Sequence, residues 1–108
     1  MITPAFPAKA GVVEPSLCYD EFTGRFFYGT VDEVQRAAND VNVKIMEFGD
    51  ASLNDFYDLL GLDRIPIGDD LGWSGSPIQL RVGSMLSSDQ RPAISFWFHT
   101  EPKQALGH

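Results

Sequence analysis

Glu47 to Ser74 reads EFGDASLNDFYDLLGLDRIPIGDDLGWS, and the rest of the chain is read outward from this stretch. Gly49 and Asp50 close whatever helix precedes them, and Ser52 with Asp55 three positions on is the start signal of another. Leu53, Phe56, Tyr57 and Leu60 then fall at i, i+3, i+4 and i+7, so four large side chains share one helical face and are expected in the core. Gly61 supplies a left-handed stop, and Leu62 is placed to fold back in a Schellman ending. Asp63 to Pro77 follows without a clear period. A loop of that length in a compact domain is either functional or held by its own packing, and Leu71 and Trp73 favour packing.

Charge singles out the same stretch. Glu47, Asp50, Asp55, Asp58, Asp63, Asp69 and Asp70 stand in it against one base, Arg64, within a chain of net charge −7. An acidic balance disfavours a nucleic-acid binder, whose affinity comes largely from Lys and Arg displacing counterions, and it equally disfavours an anionic membrane surface. Acids that keep a small protein soluble are the plain reading. A basic partner, a cation or mimicry of a phosphate backbone are the functional ones.

Upstream, Thr30 and Glu33 form a Thr-x-x-Glu capping box, and Val34, Ala38, Val41, Ile45 and Phe48 recur at spacings of four and three. That predicts a helix of about five turns. Before it, Leu17-Cys18-Tyr19 and Arg25-Phe26-Phe27-Tyr28 flank a turn containing Gly24, which reads as a β-hairpin. Downstream, Ile78, Leu80 and Val82 alternate with polar residues or glycine. Ala93 to His99 places Ile94, Phe96 and Phe98 on one face and Ser95, Trp97 and His99 on the other, so a second hairpin is expected. The predicted architecture is α+β in the order ββααββ: two antiparallel hairpins form one sheet, with two helices packed on one face.

One domain of 17–103 is expected, preceded by an extended arm of 1–16 and followed by a tail of 104–108. The 108 residues are 44% hydrophobic, with 8 Phe, which supports a folded globule. The arm holds Pro4, Pro7 and Pro15, and its Phe6, Val12 and Val13 are candidates for docking on the domain or on a partner. Its sequence does not read as a secretory signal, and no apolar run approaches the roughly 18–20 residues that span a bilayer. The single Cys18 excludes an internal disulfide and is expected as a small buried hydrophobe.

Chemistry finds little purchase. Gly68 to Gly75 lacks the Lys and Ser/Thr of a P-loop, and Gly72-Trp73-Ser74-Gly75-Ser76 misses the final glycine of a nucleophile elbow. A calcium loop begun at Asp63 would put Ile65, Ile67 and Ser74 where oxygen donors are needed, leaving only a non-standard cation site of Asp69, Asp70 and Asp63. No zinc-spaced Cys/His set exists. His99 reads as a surface strand histidine, with a pairing to Asp69 or Asp70 as the catalytic alternative. The two adjacent helices do not make a DNA reader, because Asn54, Asp55 and Asp58 would set carboxylates against phosphates.

LCYDEFTGRFF at Leu17 to Phe27, SLNDFYDLLGL at Ser52 to Leu62 and IGDDLGWS at Ile67 to Ser74, with the closing hairpin, resemble an uncharacterised family of phage and prophage proteins classed as a domain of unknown function. The likeness runs from about Leu17 to about Pro102. It implies a phage-encoded origin and supplies no catalytic residues, and His99 is not part of its pattern. In longer members, membrane-spanning segments precede the domain, whereas this sequence has the Pro/Ala arm there.

These readings converge on a non-enzymatic phage structural or interaction protein, such as a minor capsid, neck or tail component, in the virion or host cytoplasm. No cofactor, metal, nucleic acid or membrane is expected, and the partner is a protein, with homo-oligomers open. The candidate partner-binding residues are Phe6, Val12, Val13, Asp55, Asp58, Asp69, Asp70 and Trp73. The alternative is an acidic phage inhibitor of a host defence or nucleic-acid enzyme, and a small hydrolase or cation-binding protein comes third.

Overall fold

Thr30 opens the longest element as its sequence predicts. Its Oγ1 accepts from Glu33 N at 3.0 Å while Glu33 Oε1 accepts from Thr30 N at 2.9 Å, so two donors of the first turn are satisfied reciprocally. The computed structural model describes residues 15–104. Their elements are β1 (Ser16–Asp20), β2 (Arg25–Gly29), α1 (Val31–Phe48), β3 (Asp50–Ser52), α2 (Leu53–Leu60), β4 (Gly72–Ser74), β5 (Leu80–Leu86) and β6 (Pro92–Phe98). Ser16, placed in the arm by the sequence, begins β1.

Along α1, Val34, Ala38, Val41 and Ile45 are buried and Ala37 joins them. Phe48 departs from the stripe and is 72% exposed. It closes the helix, and the chain turns away at Gly49 into β3 before anything can cover the ring. In α2, Leu53, Phe56 and Tyr57 are fully buried and Leu60 packs at the edge of the same cluster. Gly61 adopts φ 77°, Leu62 N donates to Tyr57 O at 2.9 Å, and Leu62 returns to the core. That is the predicted Schellman ending.

The fold is α+β, with two helices, but the sheet departs from the expected plan. Hairpins β1–β2 and β5–β6 are both antiparallel and join in the order β2-β1-β6-β5, and the seam between them, β1 against β6, is parallel. The chain between those strands carries both helices, and a parallel neighbour needs a long crossover of that kind. The sheet is therefore mixed rather than antiparallel. A second, two-stranded sheet pairs β3 with β4, Ala51 opposite Trp73. Its strands are three residues each and lie inside segments read as a helix junction and a loop, too short for alternation to register. The order is thus ββαβαβββ, not ββααββ.

Both helices lie on one side of the large sheet. Phe56 meets Phe98 at 5.2 Å and Phe96 at 5.9 Å between ring centroids, edge to face, and Phe27 of β2 meets Phe96 at 5.9 Å. Alternation puts Leu17, Tyr19, Phe26, Tyr28 and Trp97 on the other side, where the tilted rings of Tyr19 and Phe26 meet at 4.6 Å between centroids. Ile78, predicted to open β5, precedes it. Asn42 of α1 donates to Ile78 O at 3.1 Å and accepts from Ile78 N at 2.7 Å, which takes both backbone groups out of the ladder.

Candidate functional site

The acidic loop after α2 is knitted to that helix. Leu53 N donates to Leu71 O at 2.8 Å and Asn54 N to Gly68 O at 3.1 Å, so the loop's carbonyls satisfy donors at the helix start. Buried Asn54 accepts from Ile65 N at 2.9 Å and donates to Ile65 O at 3.0 Å and to Asp69 Oδ1 at 3.1 Å. Gly68 sits so close that a Cβ there would lie 2.2 Å from Asn54 Oδ1. Trp73, a candidate for partner binding, is buried: its indole N–H donates to Thr100 O at 2.8 Å, and its ring meets Phe98 at 5.0 Å. It belongs to the packing and not to the surface. Asp69 is exposed and reaches Arg64 at 3.8 Å, while Arg64 also pairs with Asp58 at 2.9 Å. Asp70 stands exposed on the loop.

A different surface forms where α1 and α2 lie side by side. Val43 and Phe48 of α1 and Leu59 of α2 line an open groove of about 500 Å³, with Asp40, Glu47, Asp55 and Asp58 around it. Val43 and Leu59 are each 50% exposed. Lys44 crosses between the helices to Asp55 at 2.7 Å. Burial alone would raise the Asp55 carboxyl, but hydrogen bonds from Lys44 and Ser52 outweigh it and hold the group below its usual range. Asp55 thus has two tasks, since it also closes the capping box on Ser52 N at 2.9 Å. Among the described residues, Asp40 and Glu47 have no basic partner within ion-pair distance.

The most unusual buried chemistry lies elsewhere. Asp20, at the end of β1, is fully buried and accepts from Tyr57 Oη at 2.6 Å, Thr23 Oγ1 at 2.7 Å and Phe22 N at 3.0 Å. The Arg25 guanidinium lies 4.6 Å from the Tyr57 ring centroid and donates to Asp63 O at 2.9 Å. Burial first, and then the Asp20 carboxylate, push the Tyr57 hydroxyl well above its ordinary value. Neither the phenol nor the carboxylate is exposed. The cluster ties the β1–β2 hairpin to α2. Asp20, Asn54 and Asn42 are the structural polar residues that the sequence reading missed, and only Asp20-x-x-Thr23-Gly24 carried a signal, an Asx-type turn.

Of the candidate residues, the structure brings Asp55 and Asp58 together in the groove, links Asp69 to Asp58 through Arg64, leaves Asp70 apart and buries Trp73. Phe6, Val12 and Val13 lie outside the described residues. His99 is exposed after β6, beside Thr100, Glu101, Pro102 and Lys103. Among the described residues no group of three or more His, Cys, Asp and Glu stands close enough to hold a metal ion, and no helix is long and apolar enough to cross a membrane. Cys18 is buried, and burial pushes its thiol upward.

Fold and surface together define a small α+β domain whose open chemistry is an apolar groove with an acidic rim. The chain belongs to a family of unknown function, DUF6353, whose model matches residues 7–106. No curated protein and no solved structure matches it.

Proposed function

We propose that this chain is a non-enzymatic interaction protein that works by docking on another protein, in the setting of a phage particle as a minor capsid, neck or tail component. The observation that carries the reading is the α1/α2 groove, where Val43, Phe48 and Leu59 remain wet beside carboxylates. Exposed apolar side chains that converge are a surface waiting for cover. The buried Asp20–Tyr57 pair serves to join the β1–β2 hairpin to α2. The phage setting rests on the resemblance of Ser52 to Leu62 and Ile67 to Ser74 to phage and prophage proteins. Mass spectrometry of purified phage particles tests the virion form: the protein is expected at fixed stoichiometry, and its absence removes that form.

A second reading, an acidic inhibitor of a host defence or nucleic-acid enzyme in the host cytoplasm, draws on the exposure of Asp69 and Asp70. It has less support, because Asp55, Asp58 and Asp69 each face a Lys or Arg of this chain and so present little bare charge. Replacing Asp55, Asp58, Asp69 and Asp70 with Asn should abolish binding of such an enzyme, and unchanged binding ends the reading.

A further inference from the structure

We infer that the α1/α2 groove takes a basic amphipathic helix of a partner protein, its apolar side on Val43, Phe48 and Leu59 and its Lys or Arg residues on Asp40 and Glu47. This rests on the interaction reading and names the partner's chemistry. Both walls are helical, so the groove between them suits a third helix packed alongside, a common mode of peptide recognition. Asp40 and Glu47 lie two turns apart on α1, about 10 Å along the axis, which matches basic residues at the same interval on a helix running beside it.

Charge complementarity points the same way twice over. Asp55 and Asp58 are already paired with Lys44 and Arg64, whereas Asp40 and Glu47 have no basic partner within ion-pair distance among the described residues, Lys44 between them being turned to Asp55. Neither α1 nor α2 has a basic residue in its last turn, so two helix carboxyl ends, each negative by its aligned peptide dipoles, go uncompensated by their own sequence. An anionic or purely polar partner would add repulsion or leave the floor wet. A cationic helix with one greasy face answers both.

The test uses the full chain and a synthetic amphipathic helix of about 18 residues, leucines on one face and arginines two turns apart, followed by NMR. Saturable binding is expected, with shifted amides concentrated in residues 40–48 and 55–59. Val43→Ser with Leu59→Ser, and separately Asp40→Asn with Glu47→Gln, should each weaken it about tenfold. Asp70→Asn with Glu101→Gln removes the same charge elsewhere and should leave affinity unchanged. Shifts scattered over the whole surface, equal weakening by the control pair, or equal binding of a leucine/glutamate peptide would overturn the assignment. Should association with particles persist in the Val43→Ser, Leu59→Ser variant, the interaction reading stands and this placement of it falls.

Discussion

Two acidic regions of this molecule both lie against α2 and differ in what their carboxylates face. In the 63–71 loop, Asp69 sits among hydrogen bonds that run from Asn54 to Ile65, and the loop's backbone closes on the start of the helix. In the α1/α2 groove, carboxylates surround side chains that nothing among the described residues covers. Acid content is the same kind of signal in both. The neighbours decide which is architecture and which is surface, and neighbours are a tertiary property.

The sharpest way to break the comparison is at Gly68. Its missing Cβ is what lets the loop lie on Asn54, so Gly68→Ala must push the loop off the helix start or displace the buried amide. A loss of about 3 kcal/mol is expected in chemical denaturation, in the range of overpacking that also breaks hydrogen bonds. A near-neutral result would mean that the loop is loosely laid, and its acids would then return as candidates for a partner.

Tyr57→Phe comes next. It removes the 2.6 Å bond to Asp20 and leaves that carboxylate with Thr23 and Phe22, at a cost of about 2 kcal/mol. The pH dependence has a definite sign. The folded Tyr57 hydroxyl is held above the unfolded value of about 10, so its stabilisation is complete below that pH and is lost as pH rises beyond it, because the unfolded chain gives up the proton first. The stability gap between wild type and Tyr57→Phe should therefore narrow in alkali. A gap independent of pH would show that the hydroxyl is not the group at stake.

The sequence made the helices legible because their signals are local. Thr30 with Glu33, Ser52 with Asp55 and Gly61 with Leu62 each act within four residues, and each appears in the structure as read. Strand pairing is not local. The apolar run Leu17 to Tyr19 beside a glycine turn and the alternation in Ala93 to Phe98 identify two strands without saying that β1 lies parallel to β6, and three-residue strands such as β3 leave no period to find. Buried polar residues are harder still. Asp20 and Asn54 look like ordinary turn and helix-surface residues until the partners that desolvate them are in place. Trp73 was read both as loop packing and as a partner-binding candidate, and Phe98, 25 positions along, takes the ring into the core. The groove was half visible. Asp55 and Asp58 were identified, but Phe48 was assigned to the buried stripe, and its exposure follows from where α1 stops.

Asp55 lines the groove and also closes the cap of α2, and it should respond on a smaller scale. Asp55→Asn keeps a capping acceptor and loses the charge that Lys44 meets, so about 0.5–1 kcal/mol is expected at neutral pH. Because the folded carboxyl is held below its usual range, the stabilisation is present above the unfolded value of about 3.9 and disappears as pH falls through the folded one. Thermal unfolding of the two proteins should accordingly converge in acid. If the difference stayed constant to low pH, the cap alone would account for it and the Lys44 pairing would contribute nothing.

The smallest effect on folding is the most telling. Val43 and Leu59 each keep half their surface in water, so Val43→Ser with Leu59→Ser gives up little burial and should change stability by less than about 0.5 kcal/mol for each site, against several times that for core positions such as Val41 or Phe56. Large apolar residues that cost so little to replace contribute little to the isolated fold, and their convergence in one groove then calls for a reason outside it. Chemical denaturation decides the point. A loss of 2 kcal/mol or more, the scale of core truncations, would place the groove inside the architecture with the 63–71 loop and erase the distinction between the two acidic regions.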